Sequence, residues 1–132
     1  MKNYEVIYDA INKIVIAKWY GYQNLGSIRS GGMAILEAMK TYKCNVVVND
    51  NTGVKGTWFF AFEWAENTWF PQLLNAGIKS FAWIMSHDKM SEKAAHTVIN
   101  KLDPENLIVK IFKVGDIGAA IEWVNIKSLK AA

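Results

Sequence analysis

Apolar and polar positions along this chain follow two different periods, and each change of period marks an element. Tyr4-Glu5-Val6-Ile7-Tyr8 and Lys13-Ile14-Val15-Ile16-Ala17-Lys18-Trp19-Tyr20 are β-rich runs joined by Asp9-Ala10-Ile11-Asn12. That pattern predicts an antiparallel hairpin, with Gly21 breaking its second strand. From about Asn24 the period becomes helical, and Leu25, Ile28, Gly32, Ile35, Leu36 and Met39 fall on one stripe. Gly26, Gly31 and Gly32 each weaken that helix by up to ~1 kcal/mol relative to Ala, so close approach of a neighbouring element is expected there. Cys44 to Val48 is a short continuous apolar run, the mark of a strand covered on both faces. Asn49-Asp50-Asn51-Thr52-Gly53-Val54-Lys55-Gly56 reads as a polar loop.

Thr57 is placed to cap the next helix, whose core stripe is Trp58, Phe62, Ala65, Trp69 and Leu73. Pro71 should kink that helix or end it locally, and Gly77 closes it. Phe81 to Met85 is the next buried strand, followed by the loop Ser86-His87-Asp88. A helix from Ser91 to Lys101 turns Ala94, Ala95, Val98, Ile99 and Leu102 inward. Asp103-Pro104-Glu105-Asn106 is a turn before the last strand, Leu107 to Phe112. Gly115-Asp116 leads into a final helix carrying Ile117, Ala120, Ile121 and Val124, with Lys127 to Ala132 expected to fray. The order ββαβαβαβα predicts an α/β fold with a mixed, mainly parallel five-stranded sheet.

Composition narrows the class. A chain of 132 residues suits one domain spanning 1–132, and 52% hydrophobic residues exclude a disordered chain. Fifteen Lys+Arg against twelve Asp+Glu leave +3, with no basic run and Arg29 as the single Arg, which argues against nucleic acid as a partner. Cys44 stands alone, so no disulfide framework is expected, and its setting reads as a small core hydrophobe. No stretch of ~18 apolar residues predicts a membrane span, and the N-terminus lacks a signal peptide's pattern, so a cytoplasmic protein is expected.

Several motifs together resemble the SpoIIAA-like (STAS-type) family of small bacterial domains over nearly the whole chain. They are the hairpin ending in Trp19-Tyr20-Gly21, then Val46-Val47-Val48-Asn49-Asp50-Asn51, Gly56-Thr57-Trp58, Trp69-Phe70-Pro71, Ala76-Gly77-Ile78-Lys79, Phe112 and Ala120-Ile121-Glu122-Trp123-Val124. The resemblance implies a β-α superhelix, and relatives are compared with the SEC14-type lipid-binding fold. STAS regulators accept a phosphate on a Ser at the helix start after the third strand. Thr57 is the nearest position here, but the regulators' Asp-Ser-Gly signature is absent.

Candidate chemistry gathers at two places. Asp50, Asn51, Thr52, Gly53 and Thr57 form a candidate ligand or phosphate site, because loops at strand carboxyl ends and amides at helix starts suit anions. The alternative is that Asp50 and Asn51 only shape a turn and Thr57 only caps a helix. Phe59, Phe60, Trp64 and Phe70 lie off the core stripe of helix 57–74, and form a candidate interface, pocket wall or internal contact. His87 and His96 read as solvated or locally bonded, and no metal or other cofactor is expected. A Ser86/His87/Asp50 triad lacks a nucleophile elbow, so an enzyme is not the expectation. The leading expectation is a non-enzymatic regulatory domain working through protein contacts, as a homodimer through Phe60 and Trp64. The alternative is a carrier of a small apolar or lipid-like ligand.

Overall fold

The computed structural model describes residues 3–102, 105 and 107–131, the last five by backbone alone. Of the predicted turn at 103–106, Asp103, Pro104 and Asn106 lie outside the described residues. Strand β1 (Tyr4–Asp9) pairs antiparallel with β2 (Ile14–Tyr22), so the hairpin is present. The Asp9 carboxylate shapes its turn by accepting the Ile11 and Asn12 amides at 3.0 and 3.1 Å. Helix α1 (Leu25–Tyr42) follows, opened by Asn24 and Ser27, whose side chains each accept the other's backbone N–H. Strand β3 (Val46–Lys55), helical segment α2 (59–75), β4 (Ser80–Ile84), α3 (Lys89–Asn100), β5 (Ile108–Phe112) and α4 (Ile117–Ala131) complete the chain.

The sheet runs in the order β1-β2-β3-β4-β5, with β2 to β5 parallel. Its three parallel crossovers all step the same way across the sheet. Crossovers of one hand stepping one way must lay their helices on one face. Contacts agree: Trp19 of β2 meets α1, Phe81 of β4 meets Trp69 of α2, and Ser91 of α3 holds Trp58 beside α2. The other face is covered by α4, whose Trp123 lies 5.9 Å from Phe112. Strand register then decides which side chains sit beneath α1 and α2. Ala17, Asn49 and Trp83 are aligned across the sheet, as are Val15, Val47 and Phe81.

Four expectations need correction. Residues 49–55 are strand rather than loop, because β3 continues beside Tyr20, Gly21 and Tyr22, and Gly21 continues β2 at φ +68° instead of breaking it. Asn and Asp are ordinarily poor strand formers, but here their side chains find partners within the fold. Helix α3 starts at Lys89, with Asp88 as its cap, two residues before the predicted start. Helix α4 continues to Ala131 through the stretch expected to fray.

Segment α2 departs furthest from its sequence pattern. It passes from a 3-10 turn (Phe59–Ala61) through one α-helical turn (Phe62–Trp64) to a π turn (Ala65–Trp69), and ends α-helical (Phe70–Asn75). The Phe70 amide reaches back five residues to the Ala65 carbonyl. Pro71 has no N–H and its ring crowds the carbonyl four residues earlier; the wider turn just before it relieves both problems without ending the helix. An extra residue in one turn rotates everything after it by about 100°. Phe70 therefore faces inward beside Trp69 and is fully buried, which removes it from the candidate interface.

Helix α1 lies close to the aromatic rings because Gly31 and Gly32 face them. A Cβ on Gly31 would collide with the six-membered ring of Trp19, and one on Gly32 would come within 2.8 Å of the Trp64 ring. Gly→Ala in a helix ordinarily gains up to ~1 kcal/mol, whereas forcing a methyl into a packed core costs about 1–3 kcal/mol. At Gly31 the cost wins, since Trp19 is buried and its indole nitrogen is tethered. Gly31→Ala is expected to destabilise the protein by about 1–2 kcal/mol in urea unfolding. Gly118→Ala, in α4 with nothing within 4 Å of the added methyl, should stabilise it by about 0.5 kcal/mol.

Candidate functional site

Between the sheet and helices α1 and α2 lies a cleft lined by five of the six tryptophans: Trp19, Trp58, Trp64, Trp69 and Trp83. Each comes from a different local cause. Trp19 stands on β2 opposite a bulge in β3, where Asn51 and Thr52 together face one residue of β2. Trp83 stands on β4 in register with Asn49. Trp64 and Trp69 are brought into a stack, with centroids 6.2 Å apart, by the π turn between them. Trp58 precedes the first turn of α2 and leans on Trp83, with centroids 5.5 Å apart. Gly32 and Ile28 of α1, Ala61 and Ala65 of α2, Val54 and Gln23 fill the remaining wall.

The floor is polar, and its polarity has a direction. Trp19 Nε1 donates to Asn49 Oδ1 at 2.8 Å, and Asn49 Nδ2 donates to Asn51 Oδ1 at 3.0 Å. An indole N–H can only donate, so the amide of Asn49 must turn its oxygen to Trp19 and its nitrogen to Asn51. Asn51 then presents Nδ2, which donates to no described residue and is not cut off from solvent. Both asparagines are buried, at 4% and 7% exposure. The bulge matters here, because it keeps Asn51 on the cleft side and brings Val54 back to that side in place of Gly53. Gly53 itself leaves no room for a side chain, as a Cβ there would lie 2.9 Å from the Trp19 carbonyl.

A second chain of hydrogen bonds fixes the cleft wall. The Trp58 amide donates to Ser91 Oγ at 3.1 Å, and Ser91 Oγ donates to Asp88 Oδ2 at 2.6 Å. Asp88 also caps α3 by accepting the Met90 and Ser91 amides. The Ser91 hydroxyl, against a smaller opposing effect of burial, holds the Asp88 carboxyl below its ordinary range. Trp69 is tied separately, its Nε1 donating to the Gly32 carbonyl at 2.8 Å.

The residues singled out from the sequence are divided by the fold. Asn51 lies in the cleft floor. Asp50, its neighbour on an alternating strand, accepts both the amide and the hydroxyl of Thr52, and Thr52 Oγ1 accepts the Gly115 amide at 3.0 Å. Gly53 is exposed beside the bulge. Thr57 is exposed and its hydroxyl accepts the Phe59 amide at 3.1 Å, but the cap position of the first turn is Trp58, not Thr57. These five residues do not form one site. Trp64 belongs to the cleft, whereas Phe59 and Phe60 are about half exposed, at 55% and 48%. His87 and His96 are exposed. Ser86 accepts the Asp88 amide and Asp50 is engaged with Thr52, so Ser86, His87 and Asp50 are not joined into a triad by hydrogen bonds.

Trp19, Asn49, Trp83 and Gly32 carry the cleft but were not among the candidates. Their signal was the aromatic excess, together with an Asn-x-Asn repeat at the end of an apolar run. Among the described residues, no three His, Cys, Asp or Glu side chains gather as metal ligands, and no helix is long and apolar enough to cross a membrane. The cleft lining includes no charged side chain; it offers π faces and amide donors, which suit binding by stacking and hydrogen bonding. No family model, curated protein or solved structure matches the chain.

Asp88 supports a pH-dependent prediction. Its folded value is depressed, so the stability it contributes is present above the unfolded carboxylate value of about 3.9 and is lost as pH falls through the lower folded value. Asp88→Ala is expected to lower stability by about 1 kcal/mol at pH 7 through loss of the α3 cap. The difference from the parent protein should shrink in urea unfolding below about pH 4. A constant difference down to pH 2 would show that the charge of Asp88 plays no part.

Proposed function

We propose that this chain is a non-enzymatic binding domain of the STAS-like kind whose working site is the tryptophan-lined cleft, and that it holds a small apolar ligand there. One observation carries the reading: an apolar, aromatic cleft whose floor carries an amide, on Asn51, that donates to no described residue. The one-way winding of the sheet supports the STAS-like and SEC14-type comparison as a proposal about fold. Of the two expectations raised by the sequence, the cleft favours the carrier over a domain working only by protein contacts.

The contact reading keeps one observation of its own. Phe59 and Phe60 are adjacent, large and half exposed at the start of α2. If they cover a second copy of the chain, the protein sediments as a dimer and Phe59→Ser with Phe60→Ser returns it to monomer.

Nuclear magnetic resonance against a panel of neutral aromatic fragments tests the ligand reading. Binding in the cleft should move the indole signals of Trp58, Trp64 and Trp83. Trp123, on the opposite face, serves as an internal control and should stay still. Fragments that leave all cleft indoles unmoved, or that move Trp123 equally, would count against the cleft as the working site.

A further inference from the structure

We infer that the cleft selects a neutral molecule bearing one flat ring and a hydrogen-bond acceptor, of the aryl ketone or aryl amide class, with the acceptor on Asn51 Nδ2. The inference rests on the cleft being the ligand site and adds the chemistry of what enters it. Its first support is the direction of the floor. Because Trp19 cannot accept, the two amides are ordered nitrogen to oxygen, and the open end of the chain is a donor. A ligand acceptor completes the chain; a ligand donor would meet amide hydrogens.

Charge gives the second support. Of the acidic residues that adjoin the lining in sequence or in its hydrogen bonds, Asp50 is committed to Thr52, Asp88 to Ser91 and Glu66 to Lys101, and Glu63 is exposed on α2. With no charged side chain in the lining, an anion would lose its hydration without gaining a counter-charge. A cation could lie against the indole faces, but it would leave the Asn51 donor unmet and place a positive charge near its hydrogens. Size limits the ligand: the cleft measures about 60 Å³ and is open to solvent, below the ~150 Å³ of a closed cavity that takes in benzene, so a single ring enters it only part-way. The stacked pair Trp64–Trp69 and the pair Trp58–Trp83 supply flat apolar surfaces for such a ring.

The test uses four probes of one ring each: acetophenone, ethylbenzene, phenyltrimethylammonium and benzoate. Dissociation constants are read from ¹H–¹⁵N spectra that resolve the side-chain amide and indole signals. Acetophenone should bind about tenfold more tightly than ethylbenzene, the effect of one recovered hydrogen bond, and should shift the Asn51 amide signal downfield. Both charged probes should bind more weakly than acetophenone. In Asn51→Leu the advantage of acetophenone should vanish while ethylbenzene still binds. If that variant does not fold, the ranking in the parent protein and the Asn51 shift decide the matter. Ethylbenzene binding as tightly as acetophenone, or either charged probe binding most tightly, overturns the inference and leaves the cleft as a ligand site. If no probe moves a cleft indole at millimolar concentration, the ligand reading itself is overturned.

Discussion

A buried indole nitrogen can give a hydrogen bond but never take one, and this chain buries Trp19 in the wall of its tryptophan-lined cleft. That requirement reaches far along the chain. It calls for an oxygen on β3 within reach of Trp19, which Asn49, paired with Ala17, supplies. It turns the Asn49 nitrogen toward Asn51 and leaves the Asn51 nitrogen facing the cleft. It also forbids Trp19 from retreating, so α1 can approach only with glycine at position 31. Strand, helix and cleft are thus adjusted to one donor.

Two local irregularities serve the same place. The bulge in β3 doubles residues opposite Trp19 and keeps Asn51 and Val54 on one face. The π turn in α2 brings Trp69 and Phe70 inward together, with Trp64 stacked over Gly32. Each interrupts a hydrogen-bonded ladder that a regular element would keep. Both lie beside the one cleft.

Most of the architecture was legible in the sequence. Element order, the mixed sheet and the inward stripe of α1 follow from periods of two and 3.6 residues, and the observed burial of Ile35, Leu36 and Met39 agrees with them. The candidate site was only partly legible. Asn51 was found for its chemistry, but in a supposed loop, because turn propensity was read where side-chain pairing to Trp19 makes a strand. Phe70 was placed on an outer flank because a constant 100° step cannot register a π turn. Trp19 and Trp83 gave no local sign of their role, since an aromatic residue in a strand looks the same whether it fills the core or walls a cleft. The ordering of the amides arises only from residues 30 positions apart.

Hydrogen exchange of the six tryptophan indoles tests the directed chain most directly. Trp19 and Trp69, each bonded to a buried acceptor, should exchange slowest, at rates approaching those of global unfolding. Trp58, Trp64 and Trp83, whose indole nitrogens are not among the buried atoms lacking a partner and so are open to solvent, should exchange faster. Trp19 exchanging as fast as Trp58 would mean that Asn49 does not hold it, and the donor order through Asn51 would fall with it.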